Sequence, residues 1–128
     1  MLERDVLSST LLAVGGRKDA RAWRQQSGVF APLQARATCP NCRTTGPLKL
    51  FDPHPVTKVG VNGMADIGVI LHDGRSAWIE CKHPETGRVS EDQYRFKYTI
   101  EKFNGIYLVA RSAEEALSQL RNRGYCND

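Results

Sequence analysis

Between Gly63 and Lys82 the chain has little freedom in how it folds. Gly63-Met64-Ala65-Asp66-Ile67-Gly68-Val69-Ile70-Leu71 and Ser76-Ala77-Trp78-Ile79-Glu80-Cys81-Lys82 read as two runs rich in β-branched and aromatic residues, and His72-Asp73-Gly74-Arg75, with its short Asp-Gly turn, stands between them, the pattern of a β-hairpin. Side chains alternate along a strand, so the length of the turn decides which of them share a face. A two-residue Asp73-Gly74 loop would pair position 66 with position 81 and set Asp66 and Glu80 on opposite faces. A three-residue loop, His72-Asp73-Gly74, with Gly74 left-handed at the close of a type I turn, pairs Leu71 with Arg75 instead. Asp66 then lies across from Glu80, with Lys82 further along the same face. Facing Cβ atoms are about 5 Å apart. Two carboxylates that close stay ionised together only if a cation lies between them. The three-residue register is therefore expected, and with it a divalent-metal site beside a lysine. A surface hairpin whose Asp, Glu and Lys form a solvated ion pair has the same spacing.

The 128 residues suggest one domain with a single core, and 18 Lys+Arg against 14 Asp+Glu give a net charge of +4 that suits a polyanionic partner without demanding one. Met1-Leu2-Glu3-Arg4-Asp5 is acidic where a signal peptide is basic, and no apolar run reaches the roughly 18 residues of a membrane span. The expectation is a soluble protein of the cytoplasm, bacterial or of a phage in its host, with no membrane contact. Its four cysteines are then expected to be thiols or metal ligands rather than disulfides.

A first helix is expected from about Leu2 to Val14, stopped by Gly15-Gly16, with Leu7, Leu11 and Val14 as its apolar stripe. Glu3 falls on the same side as Leu7. It either meets a partner there or only complements the helix dipole. Ala20 to Gln25 suits a short strand. From about 29 to 62 the prolines at 32, 40, 47, 53 and 55 predict an irregular insertion, with a short strand at Leu48 to Phe51. Within it, Cys39-Pro40-Asn41-Cys42 has the gap that lets two thiolates grip one zinc ion. That is half a site, to be completed by His54, by Cys126 or by the same pair from a second subunit, and a knuckle that binds nothing has the same sequence. Ser90-Glu91-Asp92-Gln93 is a capping box that opens a helix to about Phe103, in which Gln93, Phe96, Lys97 and Ile100 share a face. The Gln93 amide either serves a site or simply reaches back to Ser90. Ile106-Tyr107-Leu108-Val109-Ala110 suits a buried strand, and Ser112 to Glu115 opens a last helix that stops before Gly124. This order makes an α/β domain with a mixed sheet flanked by helices, its last strand parallel to the Glu80 strand.

Asp66 followed fourteen residues on by Glu80-Cys81-Lys82 resembles the D...ExK signature of the PD-(D/E)xK nucleases. Gly63-Met64-Ala65-Asp66, the loop from His83 to Arg88, Ser90-x-x-Gln93, and the strand leading into Ala110-Arg111-Ser112 resemble its VRR-NUC (virus-type replication-repair nuclease) subfamily, as do Glu3 and the Trp23-Arg24 to Gly28 segment. The resemblance implies an αβββαβ restriction-endonuclease-like core, a Mg²⁺ or Mn²⁺ site, and hydrolysis of phosphodiester bonds in branched or nicked DNA. It places Glu3, Asp66, Glu80, Lys82 and Gln93 at active-site positions and makes the carbonyl of Cys81 a metal ligand. It also implies a homodimer acting on four-way junctions, in phage or bacterial recombination, with no small-molecule cofactor. The Cys39 to Cys42 insertion departs from the family pattern and bears on which DNA shape is selected.

The residue chemistry agrees with that implication. Hard carboxylate oxygens suit Mg²⁺, and Lys82 puts a fixed positive charge where charge develops on the phosphate. Glu3 would hold a metal-bound water or a second metal ion, and Gln93 would position Lys82 or Glu80. Arg24, Arg88, Arg95 and Lys97 are the candidate DNA-phosphate contacts, each also an ordinary solvated charge. Two other readings fit the same residues: a non-catalytic zinc-knuckle module that binds DNA, and a sequence-reading restriction-type nuclease.

Overall fold

The computed structural model describes residues 2–26, 28–30, 36–38, 40–47 and 57–126. The chain divides into two compact units, residues 1–26 with 61–128 and residues 27–60, where length alone suggested a single body.

Helix α1 (Glu3–Gly15) opens the first unit. Asp5 fixes its start, accepting the Leu2 N–H on Oδ2 at 2.9 Å, and Gly16 caps its end. Its buried stripe is Val6, Thr10 and Val14, while Leu7 and Leu11 are only partly buried against the core. The expected Leu7–Leu11–Val14 stripe is thus displaced by one position over its first two members. Thr10, polar by type, holds the centre of the contact face. Strand β1 (Ala20–Arg24) follows.

The second unit contains two short antiparallel ribbons, β2 (Gly28–Phe30) with β5 (Thr57–Val59) and β3 (Arg36–Thr38) with β4 (Thr45–Pro47). An irregular insertion was the expectation from its prolines. A two-stranded ribbon has only edge strands, however, and Pro47 is accommodated at the end of β4, across from Arg36. The strand expected at Leu48 to Phe51 lies outside the described residues, as do Cys39 and His54. Cys42 sits in the turn between β3 and β4, exposed, with its Sγ 3.1 Å from Thr44 Oγ1.

Strand β6 (Ile67–Leu71), strand β7 (Ser76–Cys81), helix α2 (Glu91–Lys102), strand β8 (Ile106–Ala110) and helix α3 (Ala113–Asn122) complete the first unit. Its four-stranded sheet has the order β1-β6-β7-β8, antiparallel except for the β7–β8 pair, which is parallel across the α2 connection. This is the mixed sheet flanked by helices that the sequence predicts. Alternation splits the side chains cleanly. Ile67, Val69, Ile79, Cys81, Leu108 and Ala110 pack with α1 and α3 in the larger core. Trp78, Tyr107 and Val109 face Phe96 and Ile100 of α2. An edge-to-face aromatic chain crosses that second face, Trp23–Trp78 at 6.2 Å, Trp78–Phe96 at 5.4 Å and Phe96–Tyr107 at 6.1 Å between centroids. Trp23 packs against Gly68, where an added Cβ would stand 2.5 Å from its ring.

At the turn end of the hairpin, Tyr125 donates to Asp73 Oδ2 at 2.6 Å and Arg75 Nε to the Asn104 carbonyl at 2.9 Å. The first bond ties the turn after α3 to the hairpin, and the second ties the end of α2 to it. Cys126 is fully buried in the larger core, and burial pushes its thiol up. Among the described residues, no helix is long and apolar enough to cross a membrane.

Candidate active site

The hairpin turn sets the site. Gly74 takes the left-handed conformation (φ +87°), its N–H bonds the Leu71 carbonyl at 2.9 Å, and the Leu71 N–H bonds the Arg75 carbonyl at 2.9 Å. The ladder runs from Ile70–Ser76 to Ile67–Ile79, the register the sequence predicts, and continuing that register by one residue sets Asp66, just before β6, opposite Glu80. The Cys81 N–H donates to Asp66 Oδ2 at 2.9 Å, so this peptide unit lies against the Asp66 carboxylate. Lys82 continues the line past the end of β7, where its N–H bonds the Ala110 carbonyl at 3.0 Å.

Glu80 is the centre of the cluster, only 4 % exposed. Its Oε1 accepts from Gln93 Nε2 at 2.7 Å and lies 3.4 Å from Lys82 Nζ, which is itself 8 % exposed. Its Oε2 is buried with no hydrogen-bond partner among the described residues. Burial, then the charge of Asp66, push the Glu80 carboxyl up to about 8, against the pull of Lys82. Burial also raises Asp66, and the charge of Glu3 adds to the rise while the Cys81 N–H opposes it. The protein alone therefore favours a proton on this pair of neighbouring carboxyls.

Gln93 serves two ends at once. Its Oε1 accepts the Ser90 N–H at 2.8 Å, its own N–H donates to Ser90 Oγ at 3.2 Å, and its amide nitrogen holds Glu80. The two readings left open for it are one arrangement. Gly63 makes this possible: at φ +76° it lies so close to the start of α2 that a Cβ would collide with the Asp92 carbonyl and stand 2.6 Å from Gln93 N.

Glu3, Arg4, Leu7, Arg24 and Asp66 line an open cleft of about 210 Å³. The structure thus brings Glu3 and Arg24 to Asp66. Arg88 is exposed on the loop that follows Lys82. Arg95 and Lys97 are not brought in: Arg95 pairs with Glu91 at 2.7 Å and Asp92 at 3.5 Å along the exposed side of α2, and Lys97 with Glu101 at 4.0 Å. Helix spacing gives these cations acidic neighbours one turn away.

Two residues of the site were not anticipated. Arg4 is in the cleft, in the first turn of α1 where a positive charge opposes the helix dipole. Tyr107 has a buried hydroxyl with no hydrogen-bond partner among the described residues, raised by burial and then by the charge of Glu80. A tyrosine inside an otherwise apolar strand was the available signal, because a buried phenol needs a polar neighbour.

Among the described residues, no three His, Cys, Asp or Glu side chains are gathered closely enough to hold a metal ion. The donor set still fits Mg²⁺ or Mn²⁺, which are held by one or two carboxylates and complete their shell with water and substrate oxygens. The unpartnered Glu80 Oε2 beside Asp66 is such a donor pair. Comparison with known proteins finds no matching family model, no similar curated protein and no similar solved structure.

Proposed function

We propose that the protein is a metal-dependent, structure-selective DNA endonuclease of the PD-(D/E)xK type, similar to VRR-NUC domains and acting as a homodimer on branched DNA such as four-way junctions. The observation that carries this reading is the state of Glu80: buried, oriented by Gln93 and Lys82, set beside Asp66, with Oε2 lacking a donor among the described residues. A binding module has no use for a buried acid whose second oxygen the fold leaves without a donor, since burying an unsatisfied polar group is costly.

Asp66 and Glu80, with the carbonyl of Cys81, would hold the divalent ion. When bound, Mg²⁺ or Mn²⁺ neutralises charge on the phosphate and makes water a better nucleophile. Lys82 places its ammonium beside Glu80 and stabilises negative charge that develops on the phosphate oxygens during attack. Gln93 prevents Glu80 from turning away. Glu3 lies at the mouth of the cleft, and Arg24 stands where a backbone phosphate would approach it.

The test is a panel of four-way junction, flap, nicked and single-stranded DNA with Mg²⁺ or Mn²⁺, and with EDTA or Ca²⁺ as controls. Cleavage is expected on branched DNA with Mg²⁺ or Mn²⁺ alone, at positions that stay fixed when the arm sequences are exchanged. Glu80→Ala and Lys82→Ala should each lose about 2 orders of magnitude or more in rate. Full activity in Lys82→Ala overturns the mechanism, and cut positions that follow sequence favour a restriction-type nuclease.

A further inference from the structure

We propose that Arg111 is a positioning residue that sets the Lys82 side chain through the loop 83–87; the inference rests on the nuclease reading above. Arg111 follows β8, whose last carbonyl, that of Ala110, receives the Lys82 N–H at 3.0 Å. Its guanidinium reaches across to the loop that leaves Lys82. Nη1 donates to the His83 carbonyl at 2.8 Å and Nη2 to the Gly87 carbonyl at 2.7 Å. One planar group thus clasps both ends of the loop, and its middle is tied to His83, whose Nδ1 accepts the Glu85 N–H at 3.1 Å and the Thr86 N–H at 3.3 Å.

The clasp bears directly on Lys82 because of Gly87. A Cβ at Gly87 would stand 2.8 Å from Lys82 Cβ, 3.1 Å from Lys82 Cδ and 2.9 Å from His83 N, so the loop's far end rests on the aliphatic stem of the lysine. A stem held there leaves the ammonium few positions other than the one 3.4 Å from Glu80. Arg111 is anchored in turn. Its N–H donates to Glu115 Oε2 at 3.0 Å, Glu115 Oε1 receives Gln119 Nε2 at 3.3 Å, and the same amide holds the Val109 carbonyl at 3.0 Å. The brace runs from α3 through Arg111 and Gly87 to Lys82. Only arginine can do this, since a lysine ammonium is a point charge with no fork to meet two carbonyls in one plane.

The experiment sets Arg111→Ala, Arg111→Lys and Gly87→Ala against wild type and places Arg111→Ala also in the Lys82→Ala background. Junction cleavage is read as kcat and KM, junction affinity is measured in Ca²⁺, and the Lys82 ε-CH₂ NMR signal, assigned by its loss in Lys82→Ala, is followed with Arg88→Ala as control. Expected are a fall in kcat of about 10- to 100-fold for Arg111→Ala, as supporting residues around a site typically show, affinity within twofold, and no rescue by Arg111→Lys. Gly87→Ala, which leaves Arg111 in place, should lower kcat as well. In the Lys82→Ala background Arg111→Ala should cost less than twofold. The Lys82 signal should shift in Arg111→Ala and Gly87→Ala but not in Arg88→Ala. Equal losses in both backgrounds, or an unmoved Lys82 signal, overturn the proposal. So does weakened junction binding with a salt slope lower by about 0.9, which marks Arg111 as a phosphate contact. A wild type that cuts no DNA removes the nuclease reading, and the Lys82 signal then still decides whether Arg111 positions the lysine.

Discussion

Glu80 carries a conflict that the folded chain does not resolve by itself. Its Oε1 is well held, yet the carboxyl is buried beside Asp66 and pushed up to about 8. Between the ordinary carboxylate range and that value the folded chain keeps a proton that the unfolded chain has released. Stability of the metal-free protein therefore falls as pH rises through this window, by at most about 1.4 kcal/mol per pH unit. Glu80→Gln removes the titration while keeping a group that can accept from Gln93 and donate toward Asp66. Thermal unfolding in EDTA is expected to show the variant above wild type at pH 8, the two converging toward pH 5. With Mn²⁺ the order should reverse, because wild type gains from binding and the variant does not. A variant that is less stable than wild type at every pH without metal contradicts this account of the site.

At the scale of elements, the position of α2 relative to the hairpin depends on Gly63. Gly63 and Gly74 are both left-handed, and they answer differently to a methyl group. At Gly74 nothing lies within 4 Å of an added Cβ, so Gly74→Ala should cost only the backbone strain, about 1–2 kcal/mol. At Gly63 the Cβ meets the backbone of Asp92 and Gln93, which cannot yield without moving the first turn of α2. Gly63→Ala should cost about 3 kcal/mol or more by denaturant unfolding. In whatever fraction folds, it should part Gln93 from Glu80 and lower cleavage more than Gly74→Ala does. Similar losses in the two variants would show that α2 is not seated through Gly63. The same elements show what the sequence makes legible. Gly74 declared the three-residue turn, Ser90-x-x-Gln93 declared the start of α2, and the apolar run 106–110 declared β8, because each feature acts over neighbours in sequence. The double duty of Gln93, the clasp of Arg111 and the buried hydroxyl of Tyr107 depend on partners brought close by the sheet register. No local pattern announces these. The one-position displacement of the α1 stripe has the same origin, since Thr10 earns its place by contact rather than by type.

At the scale of the whole molecule, the chain's two units raise the question of which one carries the site. Among the described residues, the side chains of the two cores belong to residues 1–26 or 61–128, as do Glu3, Asp66, Glu80, Lys82 and Gln93. The prolines that mark the second unit in the sequence conceal its ribbons, whose strands of three residues are too short to show alternation. Its two ends lie side by side, because Gly28 pairs with Val59, at the roughly 5 Å separation of facing residues in an antiparallel ladder. Residues 27–60 can therefore be replaced by a Gly-Ser linker of about four residues, a change that alters only a modest loop-closure entropy. The shortened chain is expected to unfold in one cooperative transition with a Tm within about 5 °C of the full chain, a shift worth about 1 kcal/mol at this size. Mn²⁺ should still raise that Tm, since Asp66 and Glu80 remain in place, whereas junction selectivity is expected to change if the second unit helps to choose the DNA shape. Loss of the cooperative transition would mean that the sheet unit needs residues 27–60 to fold. Retained folding with loss of the Mn²⁺ effect would place part of the metal site in the second unit and overturn the assignment to the hairpin.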